Sequence, residues 1–503
     1  MNRRVFLRHA VLIGGSSLLA TGGCRANIFA DKANVKKPNI VFVLADDMGY
    51  GDVQCLNNKS KIPTPNLDSL AKQGMTFTDA HSGSAVCTPT RYGVVTGRYC
   101  WRTRLKSGVL SGTSQHLIDT QRLTVASLLK QAKYQTACIG KWHLGMDLPM
   151  TDKKKIDYAG KIKNSPNVNG FDYFYGVTAS LDMPPYVFVE NDSFTEAGDQ
   201  HFGGSGFPKY IRPGDIGKSF KHIDALDQLV AKGASFIKEA AKKAEPYFLY
   251  LPLTAPHKPT MPAERFQGKS GLGPYGDFII QTDWAVGQII KAVDQSGQGD
   301  NTLFIFTSDN ASYMYKLNPD EKDHVEDEKV QGFKAGNHTA NYVFRGTNAD
   351  VWEGGHHVPY LVRWPDKVKA GAKCDRTICL TDLMATCGDV VDLELPENAG
   401  EDGFSILSLL LGKESEFKRA GVVNHSANGT FALRQGKWKL IFGMGSGGRG
   451  KPGSKPWSKP YQLYDLEKDI IETNNLVDKP EHKELIAEME KTLQQYIDSG
   501  RSR

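Results

Sequence analysis

The chain has 503 residues, of which 40% are hydrophobic, and its formal net charge is +6 at pH 7. This length allows a large core and two or more structural units, although large α/β domains often stay single. The basic residues are scattered rather than gathered in blocks, so a nucleic-acid-binding tail is not indicated. A slightly basic surface still suits an anionic substrate.

Residues 1–30 have the pattern of an export signal, because Arg3 and Arg4 precede an apolar stretch. The paired arginines resemble a twin-arginine signal, which exports a folded protein to the periplasm or the cell exterior. The stretch is too short for a transmembrane span. Cys24 is a candidate lipid-attachment residue, which makes a lipoprotein the alternative, and cleavage near Ala30 competes with it.

After the signal, short β-branched and aromatic runs alternate with helical patterns. This alternation is typical of an α/β fold with a large mixed, mainly parallel sheet flanked by helices. The predicted core strands are 39–44, 135–139, 247–251, 302–307 and 359–364. The predicted helices, where apolar residues recur at helical spacing, are 66–73, 121–131, 223–244 and 276–293.

Two regions differ from this pattern. Residues 152–221 are rich in Gly, Pro, Asn and Asp, which predicts a long insertion of loops and short elements. From about residue 393, short strands and a closing helix near 482–499 predict a smaller C-terminal antiparallel sheet with a helix. The predicted organisation is therefore a signal at 1–30, a main catalytic domain at 36–392 and a C-terminal subdomain at 393–503.

Polar side chains follow four of the predicted strands, and ligands of open α/β sheets bind at the carboxyl ends of the strands. These side chains are Asp46 and Asp47, then Lys141 and His143, then His257, and finally Asp309 and Asn310. The carboxylates and the amide are hard oxygen ligands that suit calcium or magnesium better than zinc, and six to eight oxygens would favour calcium. The alternative is that each acidic residue only caps a helix or forms a turn.

Cys87 precedes a short helix-compatible run, in which Pro89 suits the first turn and Arg91 lies one turn beyond the cysteine. A helix N-terminus at this point would offer backbone N–H groups to an anion. The residues alone leave two alternatives open, a buried small apolar side chain or a reactive thiol.

Six motifs in this order resemble the type I sulfatases of the alkaline phosphatase-like superfamily, over nearly the whole mature length. They are Cys87-x-Pro89-x-Arg91 with Thr96-Gly97-Arg98, Ala45-Asp46-Asp47-Met48-Gly49-Tyr50-Gly51-Asp52, Gly140-Lys141-Trp142-His143-Leu144-Gly145, Pro256-His257, Thr307-Ser308-Asp309-Asn310 and Trp352-Glu353-Gly354-Gly355. The resemblance implies that a formylglycine-generating enzyme or an anaerobic sulfatase-maturating enzyme oxidises Cys87 to formylglycine. One hydroxyl of its hydrate would attack sulfur, and the other would later eject sulfate.

The resemblance also implies roles for the residues at the strand ends. Arg91 would orient the hydrate and Lys141 would clamp the sulfate. His143 would assist proton transfer during sulfate release, and His257 would bind sulfate and protonate the leaving alcohol. Calcium would act as Lewis acid and template, held by Asp46, Asp47, Asp309, Asn310 and the modified Cys87.

The chain departs from the family at Asn348, where many members carry a lysine that binds sulfate. An amide brings no charge, and losing a charge-assisted contact costs roughly a few kcal/mol of transition-state stabilisation. Arg345 or Lys258 could supply the missing charge, or the substrate is unusual. Impaired activity is the third and least favoured explanation, because the rest of the constellation is complete.

The predicted substrate is a sulfated carbohydrate, a polysaccharide or its oligosaccharides, with further polar or anionic groups. Its predicted contacts are His338, Arg345, Asn348, His356 and His357, although the last two could instead form a surface turn. A phosphodiesterase or phosphonate monoester hydrolase of the same superfamily is the main alternative. A non-catalytic protein that binds sulfated glycans is the other, suggested only by Asn348.

Overall fold

A large sheet of ten strands organises the structure, a computed structural model that describes residues 36–153, 155–206, 209–314 and 338–503. The predicted export signal, Cys24 and Ala30 lie outside the described residues. Among the described residues, no helix has both the length and the apolar character needed to cross a membrane.

The strands alternate along the chain with helices, as the sequence predicts. The strands are β1 Asn39–Asp46, β2 Met75–Phe77, β3 Ala80–His81, β4 Gln135–Lys141, β5 Tyr173–Val177, β6 Val189–Glu190, β7 Ser193–Phe194, β8 Gln200–Phe202, β9 Gly214–Ile216, β10 Tyr247–Pro256, β11 Thr302–Ser308, β12 Tyr360–Arg363, β13 Ala372–Cys374, β14 Ile378–Cys379, β15 Val422–His425, β16 Phe431–Gln435, β17 Trp438–Ile441 and β18 Gln462–Asp465. The helices are α1 Pro65–Gln73, α2 Cys87–Thr96, α3 Val125–Gln131, α4 Ala225–Ala240, α5 Gly273–Gln295, α6 Glu353–His356, α7 Leu383–Val390, α8 Leu407–Leu410 and α9 Lys483–Asp498.

The large sheet has the strand order β13-β2-β12-β11-β1-β10-β4-β5-β6-β7. Its centre, from β11 through β1, β10 and β4 to β5, is parallel, whereas β12 pairs antiparallel with both β11 and β2. The prediction of a mixed, mainly parallel sheet flanked by helices is confirmed.

Alternate residues of β1 face two different apolar layers, which explains why the strand reads as a continuous apolar run. Ile40 and Phe42 pack in the layer that contains residues of α2, α3 and α7. Val41 and Val43 pack in the layer that contains residues of α1, α4 and α5. The sheet is therefore covered by helices on both faces.

The helix boundaries differ from prediction where local capping decides them. The helix predicted at 121–131 begins only at Val125, because the Thr124 side chain accepts a hydrogen bond from the Ser127 backbone N–H and the Ser127 hydroxyl accepts one from the Thr124 backbone N–H. The helix predicted at 223–244 is shorter, and α4 ends at Ala240.

The region 152–221 contains three strands of the large sheet, β5, β6 and β7, that the prediction did not include. Gly176 of β5 lies against β4 so closely that a Cβ there would stand 1.8 Å from the Gly140 carbonyl oxygen. A glycine in a strand interior often marks such a close approach of two backbones. Because glycine is conformationally permissive and disfavoured within strands, the sequence around Gly176 does not predict a strand.

The C-terminal part contains the predicted small antiparallel sheet, in the order β15-β16-β17-β18. Met489 and Leu493 of α9 are buried in the same apolar cluster as Leu433 and Leu463 of this sheet. Residues Lys37–Arg503 form one compact unit. The boundary at residue 393 and the division into catalytic domain and C-terminal subdomain therefore stay predictions.

The seven cysteines among the described residues are free thiols, and within this set Cys55 alone is exposed.

Candidate active site

Four neighbouring parallel strands end at one edge of the sheet and bring polar side chains together there. Asp46 is the last residue of β1 and Lys141 the last of β4. His257 follows β10, and Asp309 follows β11. Parallel neighbours end at the same edge, so side chains far apart in sequence meet at this point. We call the following residues the Cys87 cluster: Asp46, Asp47, Cys87, Arg91, Lys141, His143, His257, Asp309 and Asn310.

Cys87 enters this cluster at the first residue of α2, after the extended Val86. The segment before it is held by the C-terminal sheet, because the backbone N–H of Ala85 donates to the carbonyl oxygen of His425 over 2.9 Å. The Thr90 hydroxyl donates to the Ser84 carbonyl oxygen and fixes the first turn of the helix. Cys87 is thus positioned by a backbone bond of the residue two before it and by a side-chain bond from the first turn of α2.

Arg91 connects the strands to α2 and is completely buried. Its Nε donates to Asp309 over 2.9 Å, and its Nη2 lies 2.7 Å from Asp309 and 3.2 Å from Asp46. Its Nη1 donates to the carbonyl oxygen of Lys141. These bonds hold both carboxylates and the end of β4 in one arrangement, as expected for a planar guanidinium with several donors.

Lys141 contributes the second buried cation, with its Nζ 2.9 and 2.8 Å from the two oxygens of Asp46. Although burial acts in the opposite direction, the charges of Lys141, His257 and Arg91 hold the pKa of Asp46 below its ordinary value. Burial raises the pKa of the Cys87 thiol, so this thiol is protonated and a poor nucleophile in its unmodified form.

The donor atoms of the Cys87 cluster fit a hard metal ion. Side-chain donors of Asp46, Asp47, Cys87 and His257 lie within 4.8 Å of one another. The Oδ1 of Asn310 is buried and has no hydrogen-bond partner among the described residues, a condition that is costly unless a ligand satisfies the oxygen. Carboxylate and amide oxygens are the ligands that calcium takes.

His143 presents one unpaired ring nitrogen within the described part of the chain. Its Nε2 donates to the Leu110 carbonyl oxygen over 2.7 Å, and its buried Nδ1 has no partner there. Burial, together with the nearby charge of Lys141, lowers the pKa of His143 well below its ordinary value. The neutral ring therefore offers an Nδ1 lone pair that can accept a proton. The residue has a φ of 56°, an uncommon value that often accompanies function.

His257 points its Nε2 towards the cluster, 3.6 Å from an oxygen of Asp47. Its Nδ1 donates to the carbonyl oxygen of Lys258. The bond at Nδ1 thus fixes the orientation of the ring. Nε2 is the nitrogen that faces the cluster and can exchange a proton with a bound ester.

Asn348 is the predicted substrate residue that contacts the Cys87 cluster directly. Its Nδ2 donates to Asp47 Oδ1 over 2.8 Å, and the side chain of Asn310 donates to the same oxygen. The departure from the family pattern therefore lies beside a candidate metal ligand.

The other predicted substrate residues contact protein groups. The Nε2 of His338 lies 2.8 Å from Asp52, and Arg345 stacks 3.7 Å above the Trp352 ring and donates to the Glu472 carbonyl oxygen. His356 and His357 are buried in a second polar cluster. Their role in substrate binding stays a prediction.

This second cluster, here called the Glu353 cluster, connects α6 to β3 and the C-terminal sheet. Its members are Asp79, His81, Glu353, His356, His357, Arg434, Lys439 and Glu472. The sequence analysis missed Lys439, because a lysine between Trp438 and Leu440 follows the apolar–polar alternation of a half-exposed strand. In the structure this lysine is 0% exposed.

Comparisons with known proteins agree with this geometry. The sequence profile of the sulfatase family matches residues 38–393, and a profile for the C-terminal part of N-sulphoglucosamine sulphohydrolase matches residues 349–499. The chain is 34% identical to an N-acetylgalactosamine-6-O-sulfatase of Bacteroides thetaiotaomicron, over 96% of this chain and 97% of that protein. Human steryl-sulfatase is 31% identical, over 76% of this chain and 71% of that protein.

A solved structure labelled 6S-sulf, from work on the metabolism of multiple glycosaminoglycans by Bacteroides thetaiotaomicron, superposes with a TM-score of 0.79. Its sequence is 33% identical, and the match covers 91% of this chain and 99% of that one. The chain belongs to the sulfatase family, with an alkaline phosphatase-like fold, and is a sulfuric ester hydrolase. The resemblance drawn from the six motifs is confirmed.

Proposed function

We propose that the protein hydrolyses a sulfate ester of a sulfated carbohydrate, with a formylglycine made from Cys87 and with calcium. The observation that carries the proposal is the convergence of two buried cations, three carboxylates and two histidines on Cys87 at one edge of the sheet. Such a site combines positive charge for a sulfate with groups that can transfer protons.

The metal would be held by Asp46, Asp47, Asp309 and Asn310, together with residue 87. The unpartnered Asn310 Oδ1 supports this assignment. When bound, calcium supplies Lewis acidity and a template for the sulfate oxygens.

The chain's own residues would prepare residue 87 and the ester for reaction. Formylglycine would supply a hydrate with one hydroxyl to attack sulfur as the sugar alcohol leaves, and a second whose deprotonation would break the C–O bond to sulfate and restore the aldehyde. Arg91, fixed by two carboxylates, would orient residue 87 at the start of α2. Lys141 would bind a sulfate oxygen, since its charge already lies in the cluster.

The two histidines would divide the proton transfers between them. His143 would accept a proton at Nδ1, the nitrogen without a partner in the described residues, during sulfate release. His257 would donate a proton from Nε2 to the leaving alcohol, because its Nδ1 is engaged with the Lys258 carbonyl oxygen.

A 6-O-sulfated N-acetylgalactosamine is the first substrate to test, because the relative that is 34% identical over nearly the full length carries that specificity in its name. Export to the periplasm or cell exterior, lipid attachment and the identity of the maturation enzyme rest on the sequence alone and stay predictions.

The first test is mass spectrometry of the peptide that contains residue 87, after co-expression with a maturation enzyme. We expect conversion of the thiol to an aldehyde, and sulfate release from the sulfated sugar only by converted protein. Chelation should abolish this activity and calcium should restore it, whereas restoration by zinc alone would contradict the metal assignment. A phosphate or phosphonate ester hydrolysed faster than its matched sulfate ester would favour the phosphohydrolase alternative.

A further inference from the structure

Lys258 follows His257 directly and places a cation beside the Cys87 cluster. Its backbone carbonyl oxygen orients His257. Its ammonium group lies 5.1 Å from the centre of the Tyr210 ring and 5.4 Å from that of Tyr313, within the range of cation–π attraction. The side chain is therefore held between two aromatic rings, next to a residue that faces the candidate metal ligands.

Arg449 approaches from the C-terminal sheet, in the glycine-rich connection between β17 and β18. A Cβ on Gly448 would stand 2.3 Å from the Ala349 carbonyl oxygen, so the connection packs closely on the segment that follows Asn348. The backbone N–H of Arg449 donates to Asp350 over 2.7 Å, and its side chain is exposed. A separate part of the chain thus brings a second cation to the segment that follows Asn348.

Both cations adjoin residues that contact Asp47, because His257 Nε2 lies 3.6 Å from Asp47, and Asn348, which precedes the segment packed against Gly448, donates to Asp47. Burial, followed by the charge of Arg449, lowers the pKa of Lys258, while the charges of Asp182 and Asp47 raise it. Asp182 is already paired with Arg212, whose guanidinium lies 5.3 Å from the centre of the Tyr210 ring. Two neighbouring cations repel each other, and an anion bound between them relieves that repulsion.

We propose that Lys258 and Arg449 form a subsite for a second anionic group of the substrate, a carboxylate or a second sulfate. This inference rests on the proposed function and narrows the substrate to sulfated glycans with at least two negative charges near each other.

Three substrates test the subsite with protein whose conversion at residue 87 has been verified. They are the methyl glycoside of 6-O-sulfated N-acetylgalactosamine, the same sugar with an added 4-O-sulfate, and its disaccharide with a uronic acid. We expect kcat/KM to be about tenfold or more higher for at least one doubly charged substrate, since one charged hydrogen bond contributes roughly that much. The preferred substrate identifies the second group as sulfate or carboxylate.

Lys258→Met and Arg449→Gln should each remove that preference and lower kcat/KM on the doubly charged substrate about tenfold, with a severalfold smaller loss on the singly charged one. Lys269→Met and Lys451→Met, which remove exposed lysines on nearby segments, are the matched controls and should keep the preference. Equal rates on all three substrates, or equal losses on all three in the variants, would overturn the subsite. Absence of sulfate release from every substrate by verified wild-type protein would instead overturn the proposed function.

Discussion

The Cys87 cluster and the Glu353 cluster are both buried and both rich in charge, but they differ in how their polar atoms are paired. In the Glu353 cluster, Lys439 lies 2.9 Å from Glu353 and 2.8 Å from Glu472, and it donates to His356. His356 then pairs with His81, which pairs with Asp79. The hydrogen bonds form a chain that runs from cation to anion within the protein.

In the Cys87 cluster, by contrast, two polar atoms are not paired with other described residues. Asn310 Oδ1 and His143 Nδ1 are buried without partners in the described part of the chain, and such groups are rare and costly in native proteins. Buried atoms without a partner also occur elsewhere in the described residues, as at His425 Nε2. The difference therefore teaches that such an atom indicates a ligand site only where it lies beside charged groups at the edge of the sheet, as it does near Cys87.

The largest effect is expected from replacing one histidine in each cluster, His143 and His356. His143→Gln can keep the bond to the Leu110 carbonyl oxygen and loses the Nδ1 lone pair, so we expect sulfate release to fall about 10²–10⁴-fold with little change in stability. His356→Gln should instead lower the free energy of unfolding by about 1–3 kcal/mol and keep turnover per folded molecule within severalfold. Turnover and chemical denaturation of both variants measure this, and a reversed pattern would refute the comparison.

The second prediction concerns the removal of the buried cation Lys439 from the Glu353 cluster. Lys439→Met leaves Glu353 and Glu472 buried without their shared partner, and we expect a loss of about 3–5 kcal/mol of stability. The control is Lys437→Met, whose ion pair with Asp465 is partly exposed and should contribute less than about 1 kcal/mol. Denaturant unfolding measures the free energy of unfolding of both variants. Equal losses would show that the buried network stabilises the fold no more than the partly exposed ion pair does.

The third prediction concerns pH at His425, whose carbonyl oxygen holds the segment before Cys87. Burial lowers the pKa of His425 from 6.5 to about 4. The unfolded chain therefore binds this proton first as the pH falls, so the stabilisation is complete above pH 6.5 and is lost towards pH 4, by up to about 3 kcal/mol.

His425→Asn can keep the donor to the Ser426 carbonyl oxygen while it removes the titrating ring. The stability difference between wild type and variant should shrink as the pH falls from 7 to 4. A constant difference over this range would mean that His425 does not titrate as inferred.

The smallest effect is expected at Asn348. Asn348→Lys places a charge beside Asp47 and should change kcat/KM on sulfated sugars by about tenfold, or change the order of preference among them. Rates on the substrate panel measure this. Unchanged rates and preferences would mean that position 348 does not contact the ester.

Much of the fold could be predicted because β1, β4, β10 and β11 are apolar runs of strand length, which a sheet covered on both faces requires. The convergence of their end residues follows from parallel pairing. The strand β5 could not be found, since it lies in a glycine-rich region and depends on contact with β4.

The position of His143 at the strand ends could be predicted, but the separate cluster that contains His356 could not. His143 and His356 both follow short motifs, and only the tertiary structure shows that one has an unpaired nitrogen and the other lies in a chain of hydrogen bonds. Pairing across distant elements leaves no local pattern in the sequence.

The burial of Cys87 also bears on whether this residue is modified before or after the chain folds. Its side chain is 6% exposed, and the segment before it is held by the last third of the chain, since Ala85 is bonded to His425. Under the proposed function, we expect a maturation enzyme to oxidise this thiol faster before the segment around Ala85 has docked on the C-terminal sheet. Competition between modification and folding would then decide what fraction of molecules is active, and slower folding would raise that fraction.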